Sequence, residues 1–302
     1  MKVVAVIVTF NRKRLLLENV QRLLSQTINI HKIIIVDNCS TDGTKEYLNK
    51  NGILDNKNIY YHILEKNIGG AGGFFWGTKL AYESKADLVW LMDDDGKPYN
   101  NYTLENILNL YKKTYVKNKL QMLNSLVVCD EKNLSFGLYG CRTLSELQSK
   151  NDNNNVLYNY INPFNGTLVS RELIEKIGYP NEKFFIKGDD VDYRIRAEKA
   201  GAIIATCIDS IYYHPAMPVS YKKIVGRKVR VLSEAPWKEY YRARNHTYIR
   251  ITNKQYKKWI NHLTWQLKNI ILSENEVFKK LRLYFKGIKD GILGNLGPSI
   301  KP

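Results

Sequence analysis

LVWLMDDDG, residues 88–96, is the stretch that decides the fold: five apolar residues run directly into Asp93, Asp94 and Asp95, and Gly96 ends the run. A continuous apolar segment of this length, bounded by turn residues, fits a strand buried on both faces of a parallel sheet. The three carboxylates then stand at the carboxyl end of a strand, where open α/β sheets bind their ligands. Alternate residues of an extended chain point the same way, so Asp93 and Asp95 are expected to face one site and Asp94 to face away. Two hard oxygen donors placed like this suit Mg²⁺ or Mn²⁺ held jointly with substrate phosphates. A solvated acidic turn ahead of Pro98 uses the same residue types, but adjacent carboxylates repel and need a cation or water between them.

Outward from this segment the chain alternates β-rich apolar runs with amphipathic ones, the pattern of an α/β sheet covered by helices. Strands are predicted at 3–9, 32–36, 59–64, 88–92 and 123–128, with helices at 12–26, 41–49, 72–84 and 103–116. The asparagine-rich stretch 145–155 reads as a loop. Ser170 is expected to cap a short helix ending at Gly178, and Asp189 or Asp190 a second one stopping at Gly201. Two short strands, 203–208 and 211–214, follow. Pro215 and Pro218 then mark a boundary between a domain of residues 1–215 and a helical region of residues 216–302. In that region Tyr256, Trp259, Ile260, Leu263, Leu267, Ile270 and Ile271 recur at intervals of three and four on one predicted helix face.

Charge follows the same boundary. Residues 1–215 carry 27 Lys and Arg against 24 Asp and Glu, whereas residues 216–302 carry 19 against 5, so +14 of the net +17 lies in the last 87 residues. A basic excess of this size suits nucleic acid, an anionic membrane surface or an acidic substrate. No zinc, RRM or helix-turn-helix signature accompanies it, which argues against nucleic acid as the partner. Trp237, Tyr240, Tyr241, Trp259, Trp265, Tyr284 and Phe285 are interleaved with the Lys and Arg residues, a mixture suited to an interfacial helix or a lipid-pyrophosphate acceptor. Cys39, Cys129, Cys141 and Cys207 are scattered singly, as in a reducing cytoplasm. The opening MKVVAVIVTFNR is too short an apolar run for a secretory signal, and no apolar stretch approaches the roughly 18 residues of a membrane span. A soluble or peripherally attached protein is expected.

Three further groups bear on chemistry. Asp37, Asn38, Ser40, Thr41, Asp42 and Gly43 follow the apolar run IIIV and also suit an ordinary strand-to-helix turn. Asn67, Gly69, Gly70, Gly72 and Gly73 permit close approach of backbone to a ligand and open a predicted helix, though in neither the dinucleotide-binding nor the P-loop spacing. Asp189, Asp190 and Asp192 are first-turn helix carboxylates favoured by the macrodipole, and one of them has the chemistry of a general base. His214 stands at the end of a short strand, before Pro215.

Taken together, VAVIVTFNR, VDNCSTDGT, NIGGAGGFFWG and WLMDDDG, in this order, closely resemble the family-2 glycosyltransferases with a GT-A fold, a mixed sheet flanked by helices. The resemblance covers roughly residues 1–215. FFIKGDDVDYRIRAEKAG with a later histidine looks like the galactofuranosyltransferase branch, and the glycine run is also similar to that of rhamnosyltransferases. The resemblance implies that Thr9, Phe10, Asn11 and Arg12 line the nucleotide base and that Asp37 binds the uridine. Asn67, Gly70 and Asp94 would lie near the nucleotide, and Trp76 would shape the sugar pocket. Asp93, Asp95 and His214 match the metal-binding positions, and Asp190 matches the general base. Asp189, Trp237 and Arg244 are candidates on the acceptor side. Gly188 departs from the pattern, since the relatives tend to carry tryptophan there.

The implied activity is inverting, metal-dependent transfer of galactofuranose from UDP-galactofuranose, with TDP-rhamnose as the alternative donor. The implied acceptor is a polyprenyl-diphosphate-linked surface glycan at the inner face of the membrane. A nucleic-acid-binding protein or a non-catalytic sugar-binding scaffold are the competing readings. EYYRARNHTY, residues 239–248, also looks like a feature of family-2 surface-glycan enzymes, and the sequence assigns it no step.

Overall fold

The computed structural model describes residues 1–151, 154–216, 219–224, 226–232 and 234–300. Pro218, one of the two predicted boundary prolines, and residues 152 and 153 of the predicted loop lie outside them. The chain begins with β1 Val3–Thr9, α1 Lys13–Leu24, β2 Lys32–Asp37, α2 Thr44–Lys50, β3 Ile59–Ile63, α3 Gly69–Glu83, β4 Leu88–Asp93, β5 Lys97–Pro98, α4 Thr103–Tyr115 and β6 Gln121–Val128. It continues with β7 Asn133–Leu138, β8 Cys141–Thr143, α5 Leu144–Lys150, β9 Val156–Tyr158, β10 Asn165–Ser170, α6 Arg171–Ile177, a 3-10 turn at Glu182–Phe184, α7 Asp189–Lys199 and β11 Ile203–Tyr213. The last elements are β12 Ser220–Ile224, β13 Arg227–Val231, α8 Pro236–Thr252, α9 Tyr256–Ile271 and α10 Val277–Ile292. The chain divides into two compact units, one of Met1–Pro180 with Tyr193–Ala216, the other of Asn181–Asp192 with Met217–Pro302.

The first unit is built on a mixed sheet in the order β3-β2-β1-β4-β10-β6-β11-β5. β3, β2, β1 and β4 are mutually parallel, while β10 runs antiparallel between β4 and β6. β1 is buried along its whole length and its side chains alternate between two cores. Val3, Ala5 and Ile7 pack with α1 and α4 through Leu16, Val20, Leu104 and Ile107. Val4, Val6 and Val8 pack on the other face with Phe74 and Ala81 of α3. Each such side chain contributes roughly 1.5–3 kcal/mol when fully buried. The glycines let α3 come close: a methyl group at Gly73 would lie 2.3 Å from Val8 Cγ1, and one at Gly77 2.2 Å from Val6 Cγ1.

The predicted loop at 145–155 is corrected. Thr143 Oγ1 accepts from the Glu146 amide while Glu146 reaches back to the Thr143 amide, and this capping box starts α5 with Leu147 buried beneath it. The two strands expected at 203–214 are one strand, β11, with a register shift between Cys207 and Ile211. β10 escaped prediction because NGTLVS is short and half polar; its polar side chains are satisfied in place, Thr167 donating to Asn124 Oδ1 at 2.5 Å.

In the second unit an antiparallel hairpin, β12 with β13, precedes the helices where a wholly helical region was expected. α10 lies close against α8, since a methyl group at Gly287 would sit 2.5 Å from the Tyr240 carbonyl and one at Gly291 2.4 Å from that of Arg244. On α9, Leu263, Leu267 and Ile270 pack against Ala243 and Tyr284. Tyr256, Ile260 and Ile271 are exposed, so the predicted single apolar face is narrower than its periodicity implied. Among the described residues no helix is long and apolar enough to cross a membrane. The four cysteines are free thiols.

Candidate active site

Parallel pairing brings the ends of three strands level: Thr9 lies opposite Asp37 and Val8 opposite Asp93. The acidic turn after β4 is therefore beside the turn after β1. Asp94, expected to face away, is instead buried between them. Its Oδ2 accepts from Thr9 Oγ1 at 2.8 Å and from the Phe10 amide at 3.3 Å, and its Oδ1 accepts from Arg12 Nη1 at 2.9 Å. The same Arg12 nitrogen reaches Asp95 Oδ2 at 2.7 Å. The chain leaves β4 into a turn, so strand alternation stops applying at Asp93. Asn19, buried on the inner face of α1, donates to the Asp93 carbonyl at 3.1 Å and fixes the start of that turn. A polar residue inside the apolar stripe of Leu16, Val20 and Leu23 was the sequence signal for it.

His214 sits on the other side of Asp95. Its Nε2 is 3.3 Å from Asp95 Oδ1, and its Nδ1 is 2.8 Å from the Pro215 carbonyl. A proton on Nδ1 directed at that carbonyl leaves Nε2 to share a cation with Asp95, either a proton or a metal. Burial opposes charging His214, but Asp95 overrides it and raises the pKa; burial of Asp95 is likewise outweighed by His214 and Arg12, which hold its carboxyl below the ordinary value. Burial dominates at Asp94 and raises it despite Arg12.

The donor set fits a divalent ion in part. Asp95 and His214 are spaced like neighbouring ligands of an octahedral ion, which stand about 3 Å apart when each bond is about 2.1 Å. Among the described residues no group of three or more His, Cys, Asp or Glu converges, so Asp93 is not gathered with them as a third ligand.

The turn after β2 is internally bonded. Asp37 accepts from the Ser40 amide at 2.7 Å and from the Tyr61 hydroxyl, and a carboxylate keeps further lone pairs beyond these two. Asn11 links the β1 and β2 turns, its amide donating to Ser40 Oγ at 2.9 Å and its Oδ1 accepting from the Thr41 amide at 2.7 Å. Phe10 is exposed on this edge. Asn67 Oδ1 accepts from the Gly69 amide at the start of α3, and Asn38 Oδ1 from the Ile68 amide. Among the described residues nothing stands within 4 Å of where a Gly70 side chain would begin, so Gly70 is open while Gly72, Gly73 and Gly77 serve packing. Trp76 stacks obliquely on His62 at 5.8 Å, with Lys79 Nζ 4.8 Å from its ring centre.

The second unit holds the other acidic group. Asp189 is buried, and burial followed by the charge of Asp190 pushes its carboxyl up to about 7. Burial also raises Asp190, against the opposing charge of Lys187. Trp237 packs on Tyr241 and Phe185. Arg244 is corrected as an acceptor-side candidate. Its side chain is fully buried, and its guanidinium donates to the carbonyls of Phe184 and Gly297 and to the Asn245 side chain, which leaves it no face for an acceptor.

The description "Glycosyl transferase family 2" matches residues 4–124. The chain is 31% identical to the galactofuranosyltransferase GlfT1 of Mycobacterium tuberculosis, over 82% of this chain and 81% of that protein. It is 23% identical to the dTDP-rhamnosyl transferase RfbF of Shigella flexneri, over 80% of this chain and 77% of that one. Among solved structures, the mannosyltransferase PcManGT of Pyrobaculum calidifontis, in complex with GDP-Man and Mn²⁺, superposes with a TM-score of 0.54 at 13% identity, over 97% of this chain and 75% of that one. S. aureus TarS 1–349 in complex with UDP-GlcNAc gives 0.53 at 16% identity, over 97% and 92%. The fold is the expected GT-A type, a mixed sheet flanked by helices, and the chain belongs to glycosyltransferase family 2, an enzyme of sugar transfer.

Proposed function

We propose that the enzyme transfers galactofuranose from UDP-galactofuranose, with inversion and with Mn²⁺ or Mg²⁺, to a polyprenyl-diphosphate-linked glycan in the assembly of a bacterial surface polysaccharide such as a capsule or O-antigen. The observation that carries this reading is the Asp95–His214 pair at the sheet edge beside the β1 and β2 turns, a two-ligand arrangement that leaves the remaining positions of a cation to phosphate oxygens. The donor choice is supported by the 31% identity to GlfT1 over most of both chains, against 23% for the dTDP-rhamnosyl transferase, which keeps TDP-rhamnose as the alternative.

In this reading Phe10 offers its exposed ring to the base, and Asp37 uses its remaining lone pairs for the uracil edge. Thr9, Asn11, Arg12, Asn67, Gly70, Asp94 and Trp76 complete the donor side. Asp95 and His214, with Asp93 nearby, would hold the cation, which would supply stabilisation of charge developing on the departing diphosphate. Asp190 takes the proton of the acceptor hydroxyl, a role for which a raised carboxyl pKa is suited. One base and no covalent sugar intermediate give inversion. Turnover over a panel of nucleotide sugars, with and without Mn²⁺, tests the reading. Use of UDP-galactopyranose or UDP-glucose and of no furanose donor refutes the donor, and absence of any turnover refutes catalysis in favour of a sugar-binding scaffold.

The partner of residues 216–302 is proposed to be the anionic inner face of the cell membrane, which makes the enzyme cytoplasmic and peripheral. α10 supports this. Phe278, Phe285 and Ile292, seven residues apart, are 89%, 59% and 55% exposed along one line of the helix, with Arg282 and Lys289 between them and Lys279 and Lys286 beside them. Such a face suits shallow insertion among acidic headgroups. Pelleting with anionic but not neutral vesicles, weakened by salt and by Phe278→Ser with Phe285→Ser, is the expected result; no pelleting with either vesicle returns the region to a plain helical unit.

A further inference from the structure

The segment that delivers Asp189 and Asp190 is conformationally unusual. Phe185, Lys187 and Gly188 all have positive φ, at 67°, 65° and 94°, and two of the three are not glycine. Left-handed conformations of residues bearing a β-carbon persist only when their surroundings hold them. Part of the holding is local, since the Ile186 amide donates to the Phe184 carbonyl at 2.8 Å across Phe185, and the rest comes from α8, more than fifty residues later. Asn245, fully buried, directs its side-chain amide nitrogen at three backbone carbonyls of the segment: Phe184 at 2.9 Å, Ile186 at 2.8 Å and Lys187 at 2.7 Å. Arg244 adds a donor to Phe184 at 3.0 Å. The Lys187 side chain is fixed as well, by Glu234 at 3.0 Å, which in turn pairs with Arg242.

Gly188 fits the same arrangement. A methyl group there would lie 3.1 Å from Ile249 Cδ1 and 3.3 Å from Asn245 Cβ, so its φ and its closeness to α8 both favour glycine. The carbonyl of Gly188 then accepts from the Asp192 amide at 2.8 Å and opens α7. From Phe184 to Gly188 the chain is thus set by donors of Arg244, Asn245 and their neighbours, which are the residues of the EYYRARN motif.

We propose that Asn245 is a positioning residue for the Asp189–Asp190 carboxylates: it fixes the backbone from Phe184 to Gly188 and, through it, the direction in which the first turn of α7 presents its acids. Asn245 is buried, with its two amide hydrogens shared among three carbonyls, so it acts through the backbone that carries Asp190 and touches no substrate. The proposal rests on the reading of Asp190 as the general base.

Asn245→Leu removes the donors at similar size, and Asn245→Ser keeps one. The displacement of a base by about an ångström costs on the order of 10²-fold in turnover. We therefore expect Asn245→Leu to lower kcat of nucleotide-sugar turnover by about 10- to 100-fold with donor KM changed less than about twofold, and Asn245→Ser to recover part of the loss. The decisive measurement is the double variant. If Asn245 acts through Asp190, Asp190→Asn with Asn245→Leu is no slower than Asp190→Asn alone. Ile270→Ala, which removes a buried side chain from the packing of α9 and touches none of these carbonyls, controls for lowered stability and should leave kcat unchanged.

Full multiplication of the two losses, or a kcat loss in Ile270→Ala that matches that of Asn245→Leu at equal melting temperature, overturns the proposal. Should Asn245→Leu fail to fold, the Asn245→Ser cycle gives the same decision. If Asp190→Asn alone keeps wild-type turnover, it is the base assignment that has failed, an outcome distinguishable from the other two.

Discussion

Asp95 in the first acidic group and the Asp189–Asp190 pair in the second are alike in sequence and opposite in electrostatics, while the buried Asp94 is raised like the second pair. In the first unit Asp95 is flanked by His214 and Arg12, which hold its carboxyl low in spite of burial. In the second unit burial prevails over Lys187, and Asp189 and Asp190 both rise. A carboxylate kept ionised stays a charged acceptor, whereas one whose burial pushes it toward neutrality is prepared to exchange a proton. A run of aspartates reads the same either way; its surroundings assign the work.

The hardest break in this comparison is at Asp95. Asp95→Asn keeps the shape but removes the charge with which Asp95 would hold a divalent cation, and several kcal/mol of charge stabilisation corresponds to about 10³-fold or more in rate. Activity is expected to vanish in Asp95→Asn and in excess chelator, and to return to wild type with added Mn²⁺. Undiminished turnover in chelator contradicts a metal role for the whole turn, and Asp93→Asn tests whether the neighbouring carboxylate shares it.

Next in size is Asp190→Asn, expected to lower kcat by about 10² to 10⁴ while donor affinity survives. Measuring nucleotide-sugar binding by calorimetry alongside kcat separates the roles: equal loss of affinity would move Asp190 to the binding side and erase the contrast with Asp95.

A smaller effect divides the glycine run of the first unit. Gly73→Ala drives a methyl group into Val8 and is expected to cost about 1–3 kcal/mol of stability, read from denaturant unfolding, whereas Gly70→Ala meets nothing and should unfold like wild type. If Gly70→Ala also weakens the donor, Gly70 is the glycine of the run that meets the ligand.

These residues also show how far the sequence carried. β1, β2 and β4 were legible because each is an apolar run ending in a polar cluster, and parallel pairing alone made those ends meet. The Arg12 bridge to Asp94 and Asp95 was not legible, since a turn's side-chain directions depend on backbone angles that periodicity does not encode. β10 was hidden by its polarity, and α5 by an asparagine-rich neighbourhood that masked the capping box of Thr143 and Glu146. EYYRARN was visible as a string but not as a function. Its partners are backbone carbonyls some sixty residues earlier, and backbone atoms leave no trace in residue identity.

The smallest expected effect sets the second unit apart by pH. His246 on α8 and His262 on α9 stack with ring centres 3.8 Å apart and planes 15° apart, and His246 Nδ1 and His262 Nε2 are buried without a hydrogen-bond partner among the described residues. Burial pushes both below the ordinary value of 6.5, His262 to about 3, with Arg242 and Arg250 adding to the effect. A histidine depressed in the folded state binds its proton more readily when unfolded. Its neutral form therefore contributes stability that is complete above about 6.5 and is lost as pH falls from there toward the folded value. One pH unit below 6.5, each histidine should cost about 1.4 kcal/mol relative to neutral pH. Unfolding in denaturant at pH 7.5 and 5.5, read by tryptophan fluorescence, measures this, and His262→Phe should keep the stacked ring while flattening the pH dependence by about one histidine's share. An unchanged slope in that variant would mean that His262 takes up its proton in the folded protein as freely as in the unfolded one, and the α8–α9 contact would then have no part in acid sensitivity.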